Sequence, residues 1–391
     1  ALALYHTVLN KQQGVVLAPT SVLAAQHYAT LQKLLQPFDC KVALLMQSRQ
    51  EINGVKVSKR ELLDELQGGG VHVVVGTHAL MSQDVYYNSV GLVVVDEQHR
   101  FGVAQRKTLK ERNLSKTMPH FLSMTATPIP RSLALILYGD LSVTLLQEKP
   151  QGRKEIVTKV SLQNQREGVY EFVKKELNAT RQAFIICPLI DPSDVLGVAS
   201  VTALHQELQE NFLKGYRIAV LHGKLSAKDK DAIMNDFKDK KYDALIATSV
   251  IEVGVDVPNA TVMVIEGAQR FGLAQLHQFR GRVGRSDLQS YCFLIAPLDA
   301  GYAAKRRLEI MEKTNNGFVL AEHDLQVRGP GEVFGTRQSG IPDMKVADIK
   351  DKALVVVAQE AAQMVMDRGD LQKDSLLTRT LNEAITSMHL E

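Results

Sequence analysis

Residues 92–102 read LVVVDEQHRFG: an apolar run leads straight into two adjacent carboxylates, Asp96 and Glu97, followed by Gln98 and His99. At the end of a buried strand such a cluster has two readings. In one, Asp96 merely caps whatever follows. In the other, the strand delivers a metal-binding aspartate and a water-polarising glutamate to the edge of a nucleotide site. A second cluster, QFRGRVGR at 278–285, places Gln278, Arg282 and Arg285 at spacings of four and three. On a helix those spacings stack the three side chains on one face, and Gly281 and Gly284 keep the path to it clear. Forked guanidinium groups suit phosphate oxygens, and an arginine donated to a transferred phosphoryl group is worth about 10³ to 10⁵ in rate. The plainer alternative is a solvated basic helix, which would rarely carry two interior glycines at about 1 kcal/mol each against alanine.

A third motif is SMTATPIPR (123–131). Ser123, Thr125 and Thr127 alternate with Met124 and Ala126, so three hydroxyls share one side of an extended segment. They could pass a change at bound phosphates to a neighbouring surface by exchanging hydrogen bonds. Otherwise the segment is a strand end stopped by Pro128 and Pro130.

These groups must be carried by regular elements. From Gly14 onward, β-rich runs alternate with helical patterns: VVLAP (15–19), KVALLM (41–46), HVVVGT (72–77), LVVVD (92–96) and HFLSMTAT (120–127). Runs apolar on both faces and separated by helices imply a parallel sheet covered on both sides. QEKPQGRKEI (147–156) breaks the pattern with Pro150 and Gly152 and reads as a linker. A second series follows, with QAFIICPLI (182–190), RIAVLHG (217–223), YDALIAT (242–248), TVMVIEG (261–267) and SYCFLIAP (290–297), and with helical segments at 201–213 and 226–239. After Pro297 the strands stop. A Gly- and Arg-rich loop at 327–340 leads to a mainly helical pattern over 347–388. The expected class is therefore α/β, with parallel-sheet domains at 1–146 and 157–298 and a mainly helical region at 299–391. In open parallel sheets ligands bind beyond the carboxyl ends of the strands, where all these polar motifs fall. Two such edges facing each other would make a cleft.

The bulk numbers agree with this organisation. A chain of 391 residues exceeds what one core usually organises, and 45% hydrophobic with 23% charged residues is ordinary for a soluble globular protein. The formal net charge of +3 decides nothing about nucleic acid, because a basic groove can hide in a nearly neutral total. Cys40, Cys187 and Cys292 are far apart and form no CxxC pair, which argues against a disulfide framework or a zinc site. They read as small core residues in a reducing compartment. No apolar run approaches the roughly 20 residues that cross a bilayer, and no signal peptide opens the sequence, so a cytoplasmic protein is expected. ALALYHTVLNKQQG reads as the tail of a helix already under way, with neither an initiating Met nor an N-cap before it. The sequence thus reads as a fragment.

The ordered set APTSVLAAQH (18–27), VVGTHAL (74–80), VVDEQHRFG (94–102), SMTATPIPR, ATSVIEVGVDVPNA (247–260) and QFRGRVGR resembles the motifs of superfamily-two helicases. More narrowly, DEQHRFGVAQR, PQGRKEI, RFGLAQLHQFRGRVGR (270–285) and DLQVRGPGEVFGTRQSG (324–340) resemble the RecG family of bacterial branch-migration helicases, across essentially the whole chain. The resemblance implies two RecA-like domains, the first truncated at its N-terminus, followed by the helical region. It implies ATP and Mg²⁺ as cofactors, branched or duplex DNA as partner, no membrane, and a monomer by default. By this resemblance Asp96 holds Mg²⁺, Glu97 orients the attacking water, and Gln98 and His99 sense the nucleotide state. Gln278, Arg282 and Arg285 reach the phosphates, with Gly254 and Asp256 helping to line the nucleotide site. Pro19, Thr20, Gly76, Thr77 and His78 face DNA, as do Thr248 and Ser249. Backbone amides and hydroxyls suit that task, because a translocating motor grips phosphates without reading bases. Ser123, Thr125 and Thr127, together with Arg328 and Arg337 in the segment 317–340, are implied to couple nucleotide state to movement, and the RGPGE glycines fit a mobile loop.

The sequence departs from the family in two respects. The family's phosphate loop ends in Gly-Lys-Thr, because backbone amides and a lysine cradle the phosphates and the hydroxyl binds Mg²⁺. No such sequence occurs here, and the GGG at 68–70 is no substitute, since no Lys and Ser or Thr follow it. In the family the loop lies just upstream of the helix that ALALYHTVLN would finish, so the chain alone is expected to be inactive as an ATPase. The family's N-terminal wedge domain is absent as well. Two alternatives stand beside the RecG reading: a transcription-repair coupling translocase and a catalytically inactive DNA-binding module. DEQH, PQGRK and GTRQSG favour RecG over the first, and DEQH together with Arg282 and Arg285 speaks against the second.

Overall fold

Segments that are apolar on both faces can only be accommodated in the middle of a covered sheet. In the computed structural model β1 (Gln13–Leu17), β2 (Val42–Leu45), β5 (Val73–Gly76) and β6 (Val90–Val95) are buried along their whole lengths. The structure describes residues 1–97, 111–115, 117–125, 142–146, 152–188, 198–248, 257–328 and 352–368, with isolated positions 376, 378, 379 and 381. The remaining strands of the first sheet are β3 (Gln50–Ile52), β4 (Val55–Lys56) and β7 (His120–Ser123), and the order is β4-β3-β2-β5-β1-β6-β7. From β2 to β7 all pairings are parallel, while β3 and β4 add an antiparallel hairpin at one edge.

The second sheet comprises β8 (Val157–Leu162), β9 (Gln182–Ile186), β10 (Ile218–Leu221), β11 (Ala244–Ala247), β12 (Ala260–Ile265) and β13 (Tyr291–Ala296). Its order is β10-β11-β9-β12-β13-β8, parallel throughout. The chain divides into two compact units.

Helices cover both faces of the first sheet. On one face α1 (Leu2–Leu9) and α2 (Ser21–Leu35) contribute Leu4, Ala24, Tyr28, Leu31 and Leu35 to a core with Val16, Leu44 and Val75. On the other, α3 (Lys59–Gly68) packs Leu62 and Leu66 against Val15, Leu45 and Val74. The strand alternation divides the valines between the two faces. In the second unit α4 (Arg166–Asn178) buries Val169, Tyr170, Val173 and Leu177 against Ile185, Val262 and Val264. There α5 (Val198–Glu207) runs into a π-helical turn over Leu208–Phe212. Next along the chain, α6 (Ala227–Lys238) precedes β11, its residues up to Asn235 being grouped with the first unit. Further on come α7 (Leu273–Arg280), α8 (Tyr302–Lys313), α9 (Gly317–Arg328) and α10 (Lys352–Arg368).

Two sequence expectations need amending. The β3–β4 hairpin was not foreseen, although Asn53 and Gly54 at its turn have φ of 47° and 85°, the left-handed pair that a tight hairpin demands. Strand β8, directly after the linker at 147–156, was not foreseen either. As an edge strand it alternates exposed and buried residues, and Lys159 and Ser161 dilute its apolar signal.

The two sheets share a buried device. Gln13 opens β1, donates Nε2–H to the Leu66 and Val71 carbonyls at 2.9 and 2.8 Å, and accepts from the Asn88 and Ser89 amides. Gln182 opens β9 and donates to the Phe237 and Tyr242 carbonyls at 2.6 and 2.8 Å, while its Oε1 accepts from Asn259. Each amide joins the end of a covering helix to the start of the neighbouring strand, with its polar atoms satisfied in a buried place. All three cysteines are buried, and burial pushes the Cys292 thiol up to about 12. Among the described residues no helix is long and apolar enough to cross a membrane.

Candidate functional site

Strand order brings sequence-distant polar groups together at one edge of the first sheet. The adjacent strands β5, β1, β6 and β7 end in Gly76–His78, Pro19–Thr20, Asp96–Glu97 and Ser123–Thr125. Backbone bonds tie these ends to one another: Ala18 N–H donates to the Gly76 carbonyl, Asp96 N–H to Leu17, and Met124 N–H to Val95, at 2.8–3.0 Å.

Asp96 is the best-defined group of this edge. Its Oδ1 accepts from the Glu97 amide at 3.0 Å, and its Oδ2 lies 2.8 Å from Nε2 of His27 on α2. The next residue, Glu97, is buried and has φ +53°, the left-handed region that a glutamate rarely occupies. Backbone conformations of this cost cluster at sites where a side chain must be aimed. Gln98 and His99 lie outside the described residues. Among those described, no group of three or more His, Cys, Asp or Glu side chains could hold a metal by itself. A single hard carboxylate fits Mg²⁺, which keeps waters and shares its shell with substrate phosphates.

The neighbouring positions have structural duties as well. Thr20 caps α2, its Oγ1 accepting from the Leu23 amide at 3.3 Å. Thr77 is half-buried and His78 exposed. A Cβ on Gly76 would stand 2.2 Å from the Leu45 carbonyl oxygen and 2.8 Å from Cγ of Leu80. Gly76→Ala is therefore expected to destabilise the first unit by about 1–3 kcal/mol through overpacking, measured as a lower urea midpoint whether or not DNA is bound. Ser123 ends β7 and is half-buried, Thr125 is exposed, and Thr127 lies outside the described residues.

In the second unit the helical reading of QFRGRVGR is corrected. Gln278 is on α7, but that helix ends at Arg280 with Gly281 as its cap, so Arg282 and Arg285 lie beyond it and do not extend a helical face. Gly284 is left-handed at φ +73°, and a Cβ there would meet Ile156 at 2.8 Å. The glycines end the helix and turn the chain; they are not interior to it. Arg282 is buried, and Arg285 donates Nε–H to the Gly281 carbonyl at 3.1 Å. Thr248, expected to face DNA, is only 3% exposed at the end of β11. Ser249, Gly254, Asp256 and Arg337 lie outside the described residues, and Arg328 is the last residue of α9, a helix where a loop had been expected to begin.

Two further residues escaped the sequence reading. One is His27, whose contact with Asp96 no local pattern announces. The other is Arg280, which is fully buried and donates through Nη1 to the Met311 and Thr314 carbonyls at 2.8 and 2.9 Å and to Thr158 Oγ1 at 3.4 Å. It closes the carboxyl end of α8, where the helix dipole favours a cation. Burial lowers the Arg280 pKa from its ordinary value.

The second sheet also carries a carboxylate at the position corresponding to Asp96. Glu266 N–H donates to Ile186 at the end of β9 at 3.0 Å, as Asp96 N–H does to Leu17 at the end of β1. Here, however, Arg166 Nε and Tyr170 OH both donate to Glu266 Oε1 at 2.6 Å, and Arg166 also pairs with Glu207. Burial works against the Arg166 charge, but Glu207 and Glu266 outweigh it and hold its pKa above the ordinary value. This carboxylate has an arginine partner within its own unit; Asp96 has no arginine or lysine paired with it among the described residues.

Known families match the chain in the same order as its parts. The DEAD/DEAH box helicase profile matches residues 1–136, the helicase conserved C-terminal domain residues 167–287, and the C-terminal part of domain 3 of ATP-dependent DNA helicase RecG residues 314–387. The ATP-dependent DNA helicase RecG of Bacillus subtilis (strain 168) is 45% identical over 367 residues, 93% of this chain and 52% of the relative. The chain belongs to the RecG family of helicases. The RecG of Thermotoga maritima is likewise 45% identical, over 90% of this chain and 44% of its own length. The chain thus spans about half the length of the curated RecG proteins it matches. A solved structure of RecG bound to a three-way DNA junction superposes with a TM-score of 0.70 at 41% identity, covering 88% of this chain and 43% of that one. Mss116p bound to ssRNA and AMP-PNP, at 19% identity and a TM-score of 0.57 over 80% of this chain and 65% of that one, shares the fold.

Proposed function

We propose that this chain is the motor of an ATP-driven DNA helicase that remodels branched DNA such as forks and junctions, acting as a monomer in the cytoplasm. Its domains are taken as 1–146, 157–298 and 299–391, with 147–156 as linker. The observation that carries this reading is the placement of Asp96 and Glu97 at the end of β6, beside the polar ends of β1, β5 and β7. It is supported by a family match that runs in order along the chain.

The residues divide the work by chemistry. Asp96 would hold Mg²⁺, which when bound neutralises phosphate charge. The Glu97 carboxylate accepts a hydrogen bond from the attacking water and takes its proton. Gln98 and His99 follow on the same segment and sense the nucleotide state. Gln278, Arg282 and Arg285 bind phosphate oxygens, with Gly254 and Asp256 assisting. Pro19, Thr20, Gly76, Thr77, His78 and Ser249 grip DNA phosphates, and in the conformation described Thr248 contributes through its backbone. Ser123, Thr125, Thr127, Arg328 and Arg337 couple hydrolysis to movement.

The test is ATP turnover by the complete protein with no DNA, with a linear duplex and with a three-way junction of equal length. Turnover is expected to rise on DNA and to rise most on the junction, with affinity falling linearly in log salt and little base preference. Turnover indifferent to DNA, or strong sequence discrimination in competition, would overturn the proposal.

A further inference from the structure

Among the described groups, the two carboxylates at corresponding strand ends differ in their partners. Glu266 is held by a guanidinium and a phenol, both on Oε1. Asp96 is held by the Glu97 amide on Oδ1 and the His27 imidazole on Oδ2. An ionised carboxylate can only accept, so Nε2 of His27 carries the hydrogen in this contact. His27 stands at the border of the buried stripe formed by Ala24, Tyr28, Leu31 and Leu35 on α2. The backbone of α2 is thereby fixed by packing, and the ring approaches the carboxylate from an element anchored in the core. With each oxygen engaged by a different element, rotation of the carboxylate about its side-chain bonds is restricted.

We infer that His27 is a positioning residue that orients Asp96 to receive the divalent cation of the nucleotide complex. The inference rests on the proposed role of Asp96 as metal ligand. Hydrogen bonds to a ligating side chain fix its orientation, and their loss typically costs about 10- to 100-fold in metal affinity. His27 itself does not touch the reacting atoms.

The experiment measures Mn²⁺ binding by electron paramagnetic resonance to the complete protein in the presence of a non-hydrolysable ATP analogue, alongside melting temperature. His27→Ala is expected to weaken Mn²⁺ binding about 10-fold or more with little change in melting temperature. His27→Gln, which keeps an N–H donor, is expected to stay within a few-fold of the parent. The Mg²⁺ concentration for half-maximal turnover should move in parallel, while KM for ATP at saturating Mg²⁺ stays nearly constant. Unchanged Mn²⁺ affinity in His27→Ala overturns the inference, as does an equal loss in both variants that tracks a loss of thermal stability. Asp96→Ala separates the levels. If it binds Mn²⁺ like the parent, the metal role of Asp96 fails and the inference with it; if it loses Mn²⁺ while His27→Ala does not, only the role of His27 is overturned.

Discussion

Glu97→Gln is expected to lower ATP turnover by the complete protein about 10²- to 10⁴-fold, the usual contribution of a positioned general base, and to leave ATP binding nearly unchanged. The amide has the shape of the carboxylate but cannot take a proton from water. The substitution leaves the Asp96 carboxylate in place, because the bond it receives from residue 97 comes from the backbone N–H. A parallel measurement concerns the left-handed backbone at this position. Glu97→Gly removes a buried side chain, yet it also relieves a conformation costing about 1–3 kcal/mol, so its stability is expected to lie within about 1 kcal/mol of the parent's. Turnover in Glu97→Gln within a few-fold of the parent would exclude Glu97 as the base. A large loss of stability in Glu97→Gly would show that the backbone holds no strain there.

The arginines of QFRGRVGR are expected to separate into two phenotypes. Arg282→Ala should reduce turnover by about 10³- to 10⁵-fold, as for arginines that neutralise a transferred phosphoryl group. Arg280→Ala should instead act on folding. It leaves the Met311 and Thr314 carbonyls at the end of α8 without their donor, at about 1–3 kcal/mol each, and leaves a cavity where the largest fully buried side chain among the described residues stood. The expected loss is about 3–5 kcal/mol in total, read from chemical denaturation followed in the second unit. Folded Arg280→Ala protein, isolated below its transition, should retain turnover far better than Arg282→Ala. The opposite pattern, a stable and inactive Arg280→Ala, would exchange the roles assigned to the two residues.

These assignments show where reading the sequence succeeds and where it stops. The central strands were legible because runs such as VVL at 15–17 and VVV at 93–95 are too apolar to leave either face in water. The carboxylates after Val95 were legible for the same reason, since a polar cluster directly after a buried strand must emerge at its end. Strand β8 was not, because an edge strand alternates and its lysine and serine look like linker. The arginines were misplaced because a spacing of four and three fits a helix only while the helix continues. Gly281 and Gly284 mark its end, and the glycine after Arg280 was the signal for that.

By itself, the sequence determined the α/β class, the strands that make up the interior of each sheet, the family, and the residue types available at the strand ends. All of these follow from local periodicity and from motifs contiguous in the chain. Only the tertiary structure decided which strand ends are neighbours, which arginines of QFRGRVGR are buried, that Glu266 is paired with an arginine where Asp96 meets a histidine, and that His27 meets Asp96 from 69 residues away. The physical reason is that sheet order and side-chain partnership are set by the packing of distant segments against one another, and a local pattern carries no record of which segments those are.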